Sequence, residues 1–457
     1  MNSKKNNIFK KLFFYGIIVA VSAGLFSCNK DSFDAEETYQ VTVKLNYPDE
    51  NQPREGVTVK MENSITGVIF EEKTNENGEA KFEVNAGKYD VSVSETRISE
   101  NSVLIFNGVS SGQVVTGDIT LNIEIIASKT NQLIIKELYN GGCQKDDGSG
   151  HFQADQYIIL YNNSSETALL KNLCIGAVVP SNSQAINNDY EDGKLFYEAE
   201  GWIPTGWGMW TFQNNITIAP GDQIVVAVAN AVDNTQTYSN SINFNNPAYY
   251  AMYDPASGFS NTYYYPSPAP LIPVANYLKS FRFPGVTANA WTFSVSSPAA
   301  FIFTTPEGTS PADFATNPAN YNKYGGWASQ TRAKVPTEWI LDAIEVYAYG
   351  NADNQKRLTS AVDAGYVELY IRYGFSLYRN VDKAATEAIS ENAGKIVYGY
   401  NLGTVGANVA GAIINGSTDP SGIDAEASIK NGARIIYKDT NNSTNDFHQR
   451  SRASLRN

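Results

Sequence analysis

Histidine and methionine are nearly missing: there are two histidines, His151 and His448, and four methionines in 457 residues. Scarce histidine weakens general-base chemistry near neutral pH, because no other side chain titrates there unperturbed. It also starves Cys/His metal sites, since the two histidines lie far apart in sequence and only three cysteines accompany them. No G-x-S-x-G elbow, H-E-x-x-H helix or phosphate-cradling glycine loop is present. No basic cluster offsets a formal charge of −13, which disfavours nucleic acid as a partner. Past the N-terminus no apolar run approaches the roughly 20 residues that a membrane helix needs. The chain is therefore read as a non-enzyme, with no catalytic residue, cofactor or metal expected.

What is present begins with a basic, then apolar, then small N-terminus. Lys4, Lys5, Lys10 and Lys11 precede the uncharged run LFFYGIIVAVSAGLF, which is short for a span and suits a signal-peptide core. The run stops at LFSC, where Leu25, Ser27 and Cys28 satisfy a lipobox and Phe26 is bulkier than usual. Residues 1–27 are thus expected to be a lipoprotein signal peptide, with Cys28 lipidated. Residues 28–38, polar and acidic, read as a tether too charged to bury. This run resembles the loose acidic export signal of Bacteroidetes-type surface lipoproteins, which implies an outer-membrane anchor facing the cell exterior. Loss of four lysines with the signal takes the charge from −13 to −17.

Aromatic residues with abundant Gly, Asn, Ser and Thr favour strands and turns, so the expected class is all-β. From Tyr39 the alternation is clear: Val41, Val43 and Leu45 share one face of YQVTVKLNY while Thr42 and Lys44 share the other. Roughly seven short strands separated by turn signals predict a small β-sandwich over 39–128. The phrases GVTVKMENSITG and TNENGEAKFEVNAGKYDVSVS resemble the carboxypeptidase-regulatory or transthyretin-like domain. That resemblance implies a spacer or docking element.

Asn131 opens a second pattern over 131–457. QLIIKELYNGG, DQYIILYNNSSETALLKNLCIG and ITIAPGDQIVVAVA are followed, far downstream, by EWILDAIEVYAYG, SLYRN and KDTNNSTNDFHQRSRASLRN. In this order the phrases resemble a lamin-tail domain, an immunoglobulin-like sandwich. The matching residues are Ile135, Glu137 and Tyr139, then Asp155, Ile159, Tyr161 and Asn162, then Ala219, Pro220 and Gly221. The family's acid before Leu-Tyr-Asn is replaced by Ile159. Stretches at about 181–215 and 230–335 read as insertions into this framework. Helices are expected over Val381 to Asn392 and near Asp424, from Ala and Glu at helical spacing.

The insertions hold the candidate binding residues. Trp202, Trp207 and Trp210, with Tyr249, Tyr250, Tyr253, Tyr263, Tyr264 and Tyr265, offer flat apolar faces with polar handles, suited to sugar rings, peptides or a partner protein. The same rings could equally fill a local core, and the sequence leaves both readings open. Cys143 and Cys174 allow one disulfide or two buried free thiols, since export permits a bridge but spacing cannot show that they meet. Asp146, Asp147, His151 and Asp155 lack calcium-loop spacing and read as a solvated hairpin.

The leading expectation is a non-catalytic binding lipoprotein taking an unknown small ligand or glycan. The resemblance to surface lipoproteins implies a TonB-dependent outer-membrane transporter as partner. A structural or adhesive surface protein is the alternative, and a hydrolase with carboxylates in the insertion the third.

Overall fold

The computed structural model describes residues 38–48, 51–99, 102–129, 132–185 and 188–456. The signal peptide, Cys28 and all of the tether but Thr38 lie outside them. The fold is all-β: it is mostly strand, and among the described residues no helix reaches seven residues.

The first lobe contains β1 (Thr38–Asn46), β2 (Thr58–Asn63), β3 (Ile69–Lys73), β4 (Glu79–Asn85), β5 (Gly87–Ser99), β6 (Ser102–Val115), β7 (Ile119–Glu124) and β8 (Ile126–Lys129). They form a three-stranded sheet, β4-β1-β7, facing a five-stranded sheet, β3-β2-β5-β6-β8. Val41, Val43 and Leu45 point inward with Phe82, Val84, Val91, Phe106 and Ile123. Thr42 and Lys44 face outward, as the period of two requires. Asn107 of β6 ties this lobe to the second: its amide nitrogen donates to the Thr440 carbonyl.

In the second lobe, β9 (Leu133–Tyr139) lies inside a six-stranded sheet between Tyr157–Asn162 and Ser376–Arg379. The late strands Ser376–Arg379 and Phe447–Arg450 thus return to the opening strand, with Leu377 opposite Leu138. The facing six-stranded sheet runs Lys279–Arg282, Gly208–Thr211, Leu173–Ala177, Ala299–Thr304, Ile340–Ala348, Val367–Leu369. Ile135, Ile158, Leu160, Ile175, Ile302 and Ile344 fill the space between. At about 25 cal/mol per Å² of apolar area, this burial is the main force closing the sandwich.

Two stretches that read as insertions supply three strands of the second sheet: Gly208–Thr211, Lys279–Arg282 and Ala299–Thr304. The last is buried between two antiparallel neighbours, which explains its unbroken apolar run AAFIF. Ala231, Ile242, Phe244 and Ile272 cover the outer face of the first sheet beside Tyr139 and Tyr157. Further along, Val381, Ile423, Ile435 and Tyr437 cover Ile134 and Tyr161. Covered on both faces, β9 is buried at every position, Lys136 and Glu137 included. Lys136 reaches Glu426 at 2.7 Å and Gln223 at 2.7 Å.

The expected helices are short. Lys383–Glu387 is capped by Asp382, which accepts from the Ala385 N–H, and ends where Ile389 turns extended. Ala425–Lys430 is capped in the same way by Asp424.

Candidate functional site

The nine aromatic candidates do not share one surface. Trp210 is fully buried in the main core, its ring 6.2 Å from Phe259 and 5.7 Å from Tyr265. Tyr265 is buried, donating to the Trp291 carbonyl and accepting from the Trp291 N–H at 3.0 Å. Trp202 is buried beside Tyr197 and donates to Glu200 at 2.7 Å. Trp207, half-buried at a φ of +64°, donates to Gln330. Tyr249, Tyr250, Tyr253 and Tyr264 are half-buried, Tyr250 edge-on to Phe212 and Tyr253 to Tyr277. Of the nine only Tyr263 is exposed, at 51%.

Cys143 and Cys174 are both buried free thiols, not bonded to each other. Cys143 pairs with Phe152 across a short hairpin, its thiol donating to Asp155 at 3.7 Å. Cys174 lies in the Leu173–Ala177 strand. Each acid of the hairpin region has its own partner. Asp146 accepts from Ser239, Asp147 from the Ser149 N–H, and buried Asp155 from Ser241 at 2.6 Å and Tyr139 at 3.2 Å. Among the described residues no group of three His, Cys, Asp or Glu side chains is placed to hold a metal.

A different set of rings lines an open cleft at one end of the second sandwich. Tyr349 follows the Ile340–Ala348 strand, Tyr370 and Tyr373 follow Val367–Leu369, and His151 comes from the hairpin opposite. Tyr349 and Tyr370 stand 5.3 Å apart, Tyr370 and Tyr373 5.4 Å, and Tyr373 and His151 6.4 Å. Arg372 and Ser296 complete the polar lining of a space of about 320 Å³, within the range of small-ligand sites.

The backbone explains why these residues gather. The Arg372 N–H donates to Gly141 and the Gly374 N–H to Gly142, both at 2.9 Å. The loop is thereby stitched to the glycine turn after β9. Gly142 has a φ of +73°, and a Cβ there would lie 2.2 Å from the Phe152 carbonyl oxygen. Only glycine lets the His151 hairpin close against this turn. Tyr349 is anchored at both ends: its N–H donates to Leu369 at 3.1 Å, and its hydroxyl accepts from the Asn415 N–H at 3.0 Å.

Apart from His151, Arg372 is the one ionisable side chain other than tyrosine that lines the cleft. The His151 proton affinity is lowered first by burial, then by Arg372 and Lys145. Tilted, half-exposed tyrosines give the cleft apolar faces for a ring, while Ser296 and Arg372 offer polar contacts at its edge. Of these residues only His151 was singled out in the sequence, and there as part of a solvated hairpin rather than a binding cleft. The available signal was YIRYG at 370–374, three polar-tipped or charged side chains within four residues ahead of a glycine.

A second, larger cleft of about 740 Å³ runs along the seam between the lobes. Asn107, Gln113 and Glu124 line one side, and Tyr190, Lys194 and Lys356 the other. Its walls mix polar groups with Val109, Ile123, Leu195 and Leu358, and the one ring there, Tyr190, spends its hydroxyl on the Lys356 carbonyl.

A family model described as a protein of unknown function (DUF4876) matches residues 219–399. No curated protein matches the chain. Among solved structures, the chain is similar to a DUF4876 family protein from Bacteroides thetaiotaomicron. The two are 22% identical over 90% of this chain and 94% of that one, with a TM-score of 0.48. A DUF3823 family protein from Parabacteroides merdae is 7% identical, over 31% and 66% of the two chains, with a TM-score of 0.16. A candidate polysaccharide-binding protein (DUF1812) from Bacteroides thetaiotaomicron is 11% identical, over 40% and 65%, with a TM-score of 0.15. At these scores the functional reading rests on this chain's own residues.

Proposed function

We propose that the protein is a non-catalytic binding lipoprotein, anchored in the outer membrane through Cys28, facing the cell exterior and serving a TonB-dependent transporter. The observation that carries the binding role is the cleft of Tyr349, Tyr370 and Tyr373 with His151 and Arg372. Aromatic faces with hydroxyl handles suit a saccharide ring, whose C–H face stacks on the aromatic and whose hydroxyls exchange hydrogen bonds with the rim. The basic-apolar-Cys N-terminus supports the anchor, and the acidic run after Cys28 supports the outward-facing location. The first lobe then acts as the spacer that lifts the cleft from the membrane.

The test is affinity electrophoresis of the mature protein through gels carrying different polysaccharides. Retardation by a glycan is expected, and Tyr370→Ala with Tyr373→Ala should abolish it while the fold, followed by circular dichroism, stays intact. Unretarded migration in every glycan would count against the saccharide reading. Pull-down from native outer membranes, with a Cys28→Ala form in parallel, tests the partner: recovery of a β-barrel transporter supports the uptake role, and recovery of none removes it.

A further inference from the structure

Resting on that reading, we infer that the three-tyrosine cleft selects an acidic saccharide, one whose ring carries a carboxylate, with Arg372 as its specificity-determining residue. Arg372 is exposed at the rim and makes no ion pair with any described residue. Its backbone sits at a φ of +77°, a region costly for a residue with a side chain. The N–H bond to Gly141 and the neighbouring bond from Gly374 to Gly142 hold it there. Strain of this kind persists where the surroundings over-determine it, and it clusters at ligand sites.

Charge points the same way. The whole chain carries −13, so an anionic ligand is repelled at long range and must find a local cation. Arg372 supplies one at the rim of the cleft. Lys145 is shared with Asp147, whose proton affinity its charge lowers, which leaves Arg372 as the unshared cation beside the rings. A guanidinium is planar and carries a fork of donors that matches a carboxylate, so it reads the acid by shape as well as by sign. A neutral sugar would use the tyrosine faces and leave that fork empty.

The discriminating pair of probes is oligogalacturonate and the same oligosaccharide with its carboxyls methyl-esterified, which removes the charge and keeps the rings. Calorimetric titration of the mature protein should give about tenfold tighter binding of the free acid, falling as salt rises. Arg372→Gln should erase the difference between the probes, Arg372→Lys should retain part of it, and Tyr373→Ala should weaken both. Equal affinity for acid and ester, or a preference that survives Arg372→Gln, overturns the inference and leaves the saccharide reading standing. Binding of neither probe, nor of any glycan in the gels, overturns both.

Discussion

The Tyr400 hydroxyl lies 2.6 Å from Nε2 of buried His448, and the Asn380 side-chain oxygen lies 2.8 Å from its Nδ1. The Asn380 amide nitrogen is committed to the Asn445 carbonyl at 2.8 Å, which orients the Asn380 oxygen toward the ring. Nδ1 therefore carries the proton and donates to Asn380, while Nε2 accepts from Tyr400. Both ring nitrogens are satisfied by a neutral imidazole, and a second proton would force the Tyr400 hydroxyl to accept from Nε2 instead of donating to it.

A pH dependence follows with a definite sign. Burial first, then the charge of Arg450, pushes the His448 pKa down from 6.5 to about 3. A group depressed on folding contributes stability above its unfolded pKa and loses it as pH falls toward the folded one. The stability advantage of wild type over His448→Gln should therefore narrow as pH drops from 7 to 4. Urea denaturation of both proteins across that range measures the gap. Other titrating groups, such as Asp155, contribute equally to both proteins and cancel. A gap independent of pH would sink the assignment.

Tyr400→Phe isolates the other half of the pair. It leaves Nε2 buried without a donor, a loss of about 1–3 kcal/mol. Unfolding midpoints at pH 7.5 should show it, whereas a midpoint equal to wild type would mean that Nε2 finds another partner.

Arg379 organises the centre of the second lobe. Its guanidinium meets Asp342, lies 3.4 Å from Asp439 and 3.7 Å from Asp446, and donates to the carbonyls of Ile135 and Lys438. Three buried carboxyls share one cation, so burial and mutual repulsion hold Asp439 well above the ordinary carboxylate range, and burial raises Asp446 to about 6. Arg379→Met should destabilise the protein by about 3–5 kcal/mol, because the acids lose their one counter-charge. Arg379→Lys should recover only part, since a point charge cannot reach all these acceptors. Denaturant midpoints decide; a change under about 1 kcal/mol would show that the acids are neutral without the arginine.

Part of this was legible in the sequence. Alternation at Val41, Val43 and Leu45 fixes the face of β1, and the helix expected near Asp424 begins at Ala425. The phrases EWILDAIEV and SLYRN stand apart in sequence, yet Asp342 and Arg379 within them meet inside the sandwich. The cleft was hidden for the opposite reason. His151, Tyr349 and the 370–373 turn come from three separate stretches, and what joins them is backbone bonding to Gly141 and Gly142, which side-chain pattern does not encode. Nor can periodicity tell that Ala299–Thr304 is a central strand rather than part of a loop, since both faces are apolar.

The aromatic stretch before it gives a sharp contrast. Trp210 is fully buried, so Trp210→Ala should cost roughly 3–5 kcal/mol, the transfer loss plus the cavity left behind. Tyr263→Ala, at an exposed position, should change stability by no more than about 0.5 kcal/mol. Thermal unfolding of the two variants separates core from surface. If Trp210→Ala kept its stability and lost ligand instead, the ring would belong to a binding surface after all.

The two cysteines offer the last check. Burial pushes both thiols up to about 12, with Asp155 adding repulsion at Cys143. Almost no thiolate exists near neutral pH, and the groups are closed to solvent, so both reasons for thiol reactivity are missing. In a Cys28→Ser protein, a thiol reagent should label neither residue in the native state and both once urea unfolds the chain, without any reductant. Rapid labelling of the native protein would place one thiol at the surface. Failure of the unfolded, unreduced protein to label would mean that Cys143 and Cys174 are bonded, which requires the hairpin and the Leu173–Ala177 strand to be arranged differently.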